Sequence, residues 1–155
     1  MVKKYAKPFA QGAYDVLKEM LEGPITPGKP VMKKSPVPMN GVAVIIGLIG
    51  EVEGRFILDM SEESARTIAG AMNYEELDSF NSLAKATINE LANIIVGKAI
   101  TTLNDGGSKF NITPPVLLCG KDMQTTDSTL DTIIIPLSTP HGDLNVNIAL
   151  KIKAN

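Results

Sequence analysis

Apolar positions recur with a helical period between residues 79 and 103. At about 100° per residue, Phe80, Leu83, Ala84, Leu91, Ile94 and Ile95 fall on one side, while Ala86, Glu90, Asn93 and Gly97 form a stripe opposite. Asp78 or Ser79 is the predicted N-cap, and Asn104, Asp105, Gly106 and Gly107 end the pattern. The helix so defined is about 37 Å long at 1.5 Å per residue. A second amphipathic helix is predicted over residues 5–21, with Phe9, Ala13, Val16, Leu17, Met20 and Leu21 inward and Gly23-Pro24 as its stop.

The remaining segments carry strand signals. Residues 23–40 hold Pro24, Pro27, Pro30, Pro36 and Pro38, so the strand around Val31-Met32-Lys33 lacks ladder donors and belongs at a sheet edge. Residues 41–50 are apolar almost throughout, as in a strand covered on both faces, with Gly47 marking a bend or close approach. Residues 51–60 return as the second arm of a hairpin. Ser61 caps a short helix with Glu62 and Glu63 in its first turn, where carboxylates suit the positive helix end, and with Ile68, Ala69 and Met72 inward. A strand over 110–119, a polar loop over 120–129 and a strand over 131–139 follow. After the turn Thr139-Pro140-His141-Gly142-Asp143, Leu144, Val146, Ile148, Leu150 and Ile152 alternate with Asn145, Asn147, Ala149 and Lys151, the pattern of a strand with one wet face.

Each half offers a helix and three strands, and the hairpins 45–58 and 134–146 share an apolar run, a Gly-containing turn and an alternating return. The predicted fold class is α+β: an antiparallel sheet with helices packed on one face. The last strand is regular and half apolar, so it is expected to leave a free edge for a second copy, giving a homodimer.

The length of 155 residues fits a single domain over 1–155, and 44% hydrophobic with 21% charged residues is ordinary globular composition. A formal charge of −2 and a pI near 5.4 leave no basic surface for nucleic acid or an anionic membrane, so a protein partner is expected. Cys119 is the one cysteine, which fits a reducing compartment. No signal peptide and no apolar run long enough to span a bilayer are present, so the expected location is the cytoplasm.

Little conventional catalytic chemistry is on offer. His141 is the lone histidine and sits in a Pro-His-Gly turn, which argues against a His-dependent triad or a multi-histidine metal site. Cys119 ends an apolar strand and reads as a buried small hydrophobe. The clusters Lys3, Lys4, Lys7 and Lys29, Lys33, Lys34 read as solvated surface. Asp105-Gly106-Gly107 closes a helix, whereas anion-binding glycines open one. What remains is Glu90 and Asn93, one turn apart on the display stripe and flanked by the small Ala86 and Gly97. Their ordinary meaning is a solvated carboxylate and a solvated amide. Their functional meaning is a pair offered to a partner, with Ala86, Asn89 and Gly97 as expected contacts.

The run Glu90-Leu91-Ala92-Asn93-Ile94-Ile95-Val96-Gly97 resembles the ExxN motif of the CheC/CheX/FliY family of chemotaxis phosphatases. The likeness extends to Asn111-Ile112-Thr113-Pro114-Pro115-Val116 and to Ile135-Pro136-Leu137 with Gly142-Asp143-Leu144, most of the chain. Two departures stand out: Ala86 occupies a position where the family motif often begins with Asp or Ser, and Pro114-Pro115 come slightly early. The resemblance implies the CheC-like fold and a phosphatase acting on the phosphoaspartate of a CheY-type response regulator. It also implies Glu90 and Asn93 as catalytic residues and no cofactor of the chain's own, Mg²⁺ being supplied by the partner receiver. The alternative is a non-catalytic receiver-binding or switch-type module of the same fold.

Overall fold

Residues 2–127 and 130–152 are described by the computed structural model; the end of the expected polar loop, residues 128 and 129, lies outside them. Helix α1 (Val2–Met20) buries Tyr5, Phe9, Ala13, Val16 and Leu17 along one stripe. Three strands cut short by prolines follow: β1 (Thr26–Pro27), β2 (Val31–Lys33) and β3 (Val37–Pro38). The hairpin β4 (Val42–Gly50) and β5 (Val52–Met60) turns at Glu51. Helix α2 (Glu62–Met72) starts where the Ser61 side chain accepts from the N–H of Ser64 at 3.1 Å. Then come α3 (Ser82–Asp105), β6 (Phe110–Ile112), β7 (Val116–Cys119), β8 (Gln124–Thr125), β9 (Asp131–Thr139) and β10 (Gly142–Ile152).

The main sheet runs β1-β9-β10-β5-β4-β6, with β2 beside β9 and β7 beside β4, and every pairing in it is antiparallel. Phe56, Leu58 and Met60 of β5 and Leu144, Val146 and Ile148 of β10 point to one face. There they form one apolar cluster with Phe9 and Leu17 of α1, Ile68 of α2 and Ile88, Leu91 and Ile95 of α3.

The internal repeat has an unexpected form. β5 and β10 pair about Ile57 and Asn147, so that Arg55 meets Ala149 while Asp59 meets Asn145. That register relates hairpin β4–β5 to hairpin β9–β10 by a local two-fold axis. The short strands change sides: β1 and β2 of the first half extend β9, whereas β6 and β7 of the second half extend β4. β3 and β8 pair with each other. The repeat is therefore fuller than a helix and three strands, because five strands follow α1 and five follow α3.

Several expectations are corrected. The last strand is no edge: β10 is paired with β9 on one side and β5 on the other along nearly its whole length. Pro136, which lacks an amide donor, falls on β9 between the residues that pair with β1, Leu137 and Ser138, and those that pair with β2, Thr132 to Ile134. Nor is the second sheet face wet, since Ala43, Ile57, Asp59, Asn147 and Ala149 are buried on it. The β3–β8 pair lies over that face. Next to β3, the backbone and side-chain N–H groups of Asn40 donate to the Asp59 carboxylate at 2.8 and 2.5 Å, and next to β8, Asp127 meets Arg55 at 3.6 Å. Burial under this layer holds the Asp59 carboxyl above the usual carboxylate range, partly countered by the hydrogen bonds from Asn40 and Asn145.

The strand expected over 110–119 is broken in two by Thr113-Pro114-Pro115. Thr113 Oγ1 accepts from the N–H of Gly47 at 2.7 Å, and a Cβ on Gly47 would stand 2.8 Å from the threonine methyl. That is the close approach expected at this glycine. Cys119 is exposed, not buried, at the end of β7, which among the described residues pairs with β4 alone.

Candidate functional site

Asn81, not Asp78 or Ser79, caps α3: its side-chain oxygen accepts from the N–H of Ala84 at 2.9 Å. Phe80 is buried but precedes the helix. The buried arc consists of Ala84, Ile88, Leu91, Ala92, Ile95, Val96 and Ala99. Leu83, expected in the core, is 42% exposed, since it stands about 100° around the helix from the buried Ala84. Ile95 is wholly buried and Ile94 sits half-buried at the margin of the arc.

Both flanks of α3 are held. Along α1, Gly12 allows close packing, for a Cβ there would come within 3.3 Å of the Ile95 carbonyl, and Lys98 meets Asp15 at 3.7 Å. Toward α2, Asn73 Nδ2 donates to Thr87 Oγ1 at 2.9 Å. The outer stripe is left free. Ala86 and Glu90 are exposed, Asn93 and Gly97 are half-exposed, and a Cβ on Gly97 would find nothing within 4 Å. Neither Glu90 nor Asn93 has a hydrogen-bond or ion-pair partner among the described residues. Asn89 lies on the flank between this stripe and the core, its Oδ1 enclosed and without a hydrogen-bond partner among the described residues.

A carboxylate and a carboxamide thus stand one turn apart on a convex ridge, with unspent acceptors on both and unspent donors on the amide. A ridge cannot enclose a small substrate. It can act only by entering a concavity on another molecule. A cleft of about 960 Å³ lies apart from α3, between the end of α1 and α2, and is lined by Arg66, Thr67, Tyr74 and His141 among others. His141 keeps the turn role read from sequence, its carbonyl accepting from the Thr67 hydroxyl. The residue that sequence reasoning overlooked is Tyr74, 91% exposed in the α2–α3 connection. Its aromatic type in a run of acids was the available signal.

A profile of the family described as chemotaxis phosphatase CheX matches residues 42–138, which include α3 entire. The CheY-P phosphatase CheX of Thermotoga maritima is 30% identical over 115 residues, 72% of each chain. Among solved structures, the CheX–CheY–BeF₃–Mg²⁺ complex from Borrelia burgdorferi matches at a TM-score of 0.83 with 40% identity, covering 95% of this chain and 97% of that one. A CheC-like superfamily protein from Shewanella sp. PV-4 matches at a TM-score of 0.86 with 28% identity and the same coverage. On this sequence similarity, and with the CheC-like architecture described above, the chain belongs to the CheX family of chemotaxis phosphatases.

Proposed function

We propose that the chain hydrolyses the phosphoaspartate of a CheY-type response regulator, working as one domain whose α3 docks into the receiver's active site. The observation that carries this reading is the unpartnered Glu90 and Asn93 on an otherwise small-residue ridge, in a family whose Borrelia member forms a complex with CheY. Asn93 holds a water in line with phosphorus through its acceptor and donor groups. Water attacks, the phosphorus–oxygen bond to the aspartate breaks, and the products are inorganic phosphate and the free carboxylate. A loose phosphoryl transition state demands placement of the nucleophile more than activation of it. Mg²⁺ belongs to the receiver, where it neutralises the phosphoryl oxygens.

Glu90 pairs with the receiver's active-site lysine and fixes the docking. Glu90→Ala should weaken the complex by about 1 to 3 kcal/mol, as for a charge-assisted pair, and excess phosphorylated receiver should restore part of the rate. Titration of the rate against receiver concentration checks this; a Glu90→Ala defect that persists undiminished at saturation would move Glu90 from docking to chemistry. Ala86 favours a second reading, a binding module without activity, because no hydroxyl or carboxylate stands one turn ahead of Glu90. Phosphate loss from a labelled receiver separates the two: a rate unchanged by this protein, with binding intact, leaves only the module.

The proposed setting is the cytoplasm, and no helix of the described residues is long and apolar enough to cross a membrane. A homodimer is proposed as well, on a different edge from the one the alternation of β10 predicts. Among the described residues β7 pairs only with β4, and its Val116 and Leu118 are 55% and 43% exposed, an open apolar edge that a second copy would cover. Light scattering at micromolar concentration should give twice the chain mass, and a Leu118→Lys variant should give the monomer; a monomeric wild type removes the claim.

A further inference from the structure

Helices α2 and α3 end in the same hydrogen-bonded motif, with different residues at its critical position. After α3, the N–H groups of Gly107 and Ser108 donate to the carbonyls of Asn104 and Leu103 at 3.1 and 3.0 Å, with Gly107 at φ 101°. After α2, the N–H groups of Tyr74 and Glu75 donate to the carbonyls of Ala71 and Gly70 at 3.3 and 3.0 Å, and the residue at positive φ, 53°, is Tyr74. Glycine is the usual occupant of that position because a Cβ there crowds the backbone. A bulky aromatic residue in the left-handed region is an outlier. Nothing in the packing compensates, since Tyr74 is 91% exposed. A local rule broken without gain to the fold points to a role outside the fold.

Its location indicates which. Asn73 is tied to Thr87 on α3 at 2.9 Å, and Thr87 lies one turn before Glu90. Leu83, one turn before Thr87, is the exposed apolar residue of the same helix. Glu75, Glu76 and Asp78 in the connection are exposed as well. Leu83 therefore continues the Glu90–Asn93 ridge toward α2, and the tie between Asn73 and Thr87 sets Tyr74, the next residue, with its exposed acidic neighbours at the α2 end of that ridge. We infer that Tyr74, with Leu83, anchors the phosphoaspartate-bearing receiver beside its active site, an inference that rests on the reading of α3 as the docking helix. Tyrosine is well matched to anchoring, because it offers large amphipathic contact area with few torsions to freeze, and such residues dominate interface energetics. The acidic rim fits a receiver face that presents a lysine.

The test compares wild type, Tyr74→Gly, Tyr74→Asn and Leu83→Ala in thermal denaturation, in binding to a CheY-type receiver loaded with beryllofluoride and Mg²⁺, and in single-turnover dephosphorylation. Tyr74→Gly should melt at the wild-type temperature or about 2 to 4 °C above it, yet bind the receiver about tenfold more weakly. Its maximal rate should be unchanged. Tyr74→Asn, which also tolerates the left-handed region, should bind like Tyr74→Gly, and Leu83→Ala should weaken binding in the same direction. Wild-type affinity in Tyr74→Gly, or a melting temperature several degrees below wild type, overturns the inference. A wild-type protein that binds the receiver without dephosphorylating it overturns the phosphatase reading alone, and Tyr74 is then judged on binding. A wild type with no affinity for the receiver overturns both.

Discussion

Asn93→Ala should fold as wild type, bind the phosphorylated receiver with near-normal affinity and hydrolyse it about a hundredfold more slowly at saturation, a loss of about 2.7 kcal/mol of transition-state stabilisation. The separation follows from where the side chain stands. Asn93 is half-exposed and has no hydrogen-bond or ion-pair partner among the described residues, and alanine is a better helix former by some tenths of a kcal/mol, so stability should hold or rise slightly. An interaction made only while water attacks contributes to turnover and not to ground-state affinity. Single-turnover rates across a receiver concentration series read the two quantities independently. A near-normal maximal rate for Asn93→Ala would falsify the water-positioning role and favour the binding module.

The second large effect is on stability and tests the rotation of α3. Ile95 is wholly buried against the sheet, so Ile95→Ala removes apolar contacts and leaves a cavity, at a cost of about 2 to 5 kcal/mol. Lys98, three residues on, keeps an exposed ion pair with Asp15 at 3.7 Å, and its replacement by alanine should cost less than about 1 kcal/mol. Urea midpoints of the two variants compare them directly. Equal midpoints would mean that the helix is turned differently, and that Glu90 and Asn93 do not share the outer face.

Long regular elements were readable from the chain. β9 is legible at its observed bounds, and β4, β5, α1, α2 and most of α3 follow from periodicity and caps, because each buries a face whose spacing repeats several times. The ExxN ridge followed from the same periodicity, with its chemistry supplied by resemblance. What could not be read was non-local. A two-residue strand such as β8 contains no period, so its pairing with β3, and the burial of Asn147 and Ala149 beneath that layer, left no trace in spacing. Alternation along β10 gave its faces but not its neighbours, and hence the wrong edge. Leu83 fitted the apolar stripe and is nonetheless exposed, since a stripe does not say where the covering elements stop. Tyr74 depends on a backbone angle that composition does not encode.

The exchange of short strands between the two hairpins bears on how the molecule comes apart. β1 pairs with a strand more than a hundred positions away, and β5 pairs with β10 across a comparable gap. A chain whose stabilising pairings are this distant must close large loops before they form, so folding belongs to the slow, milliseconds-to-seconds regime of non-local topologies. Neither half retains a complete sheet once the other leaves, because each hairpin is flanked by strands borrowed from its counterpart. α3 packs on hairpin β4–β5 and on α1 and α2, which in turn pack on hairpin β9–β10, so it has no independent route to melting. Amide protons along its buried face should therefore exchange at the rate of whole-molecule opening, and the ridge it presents is as long-lived as the native state itself.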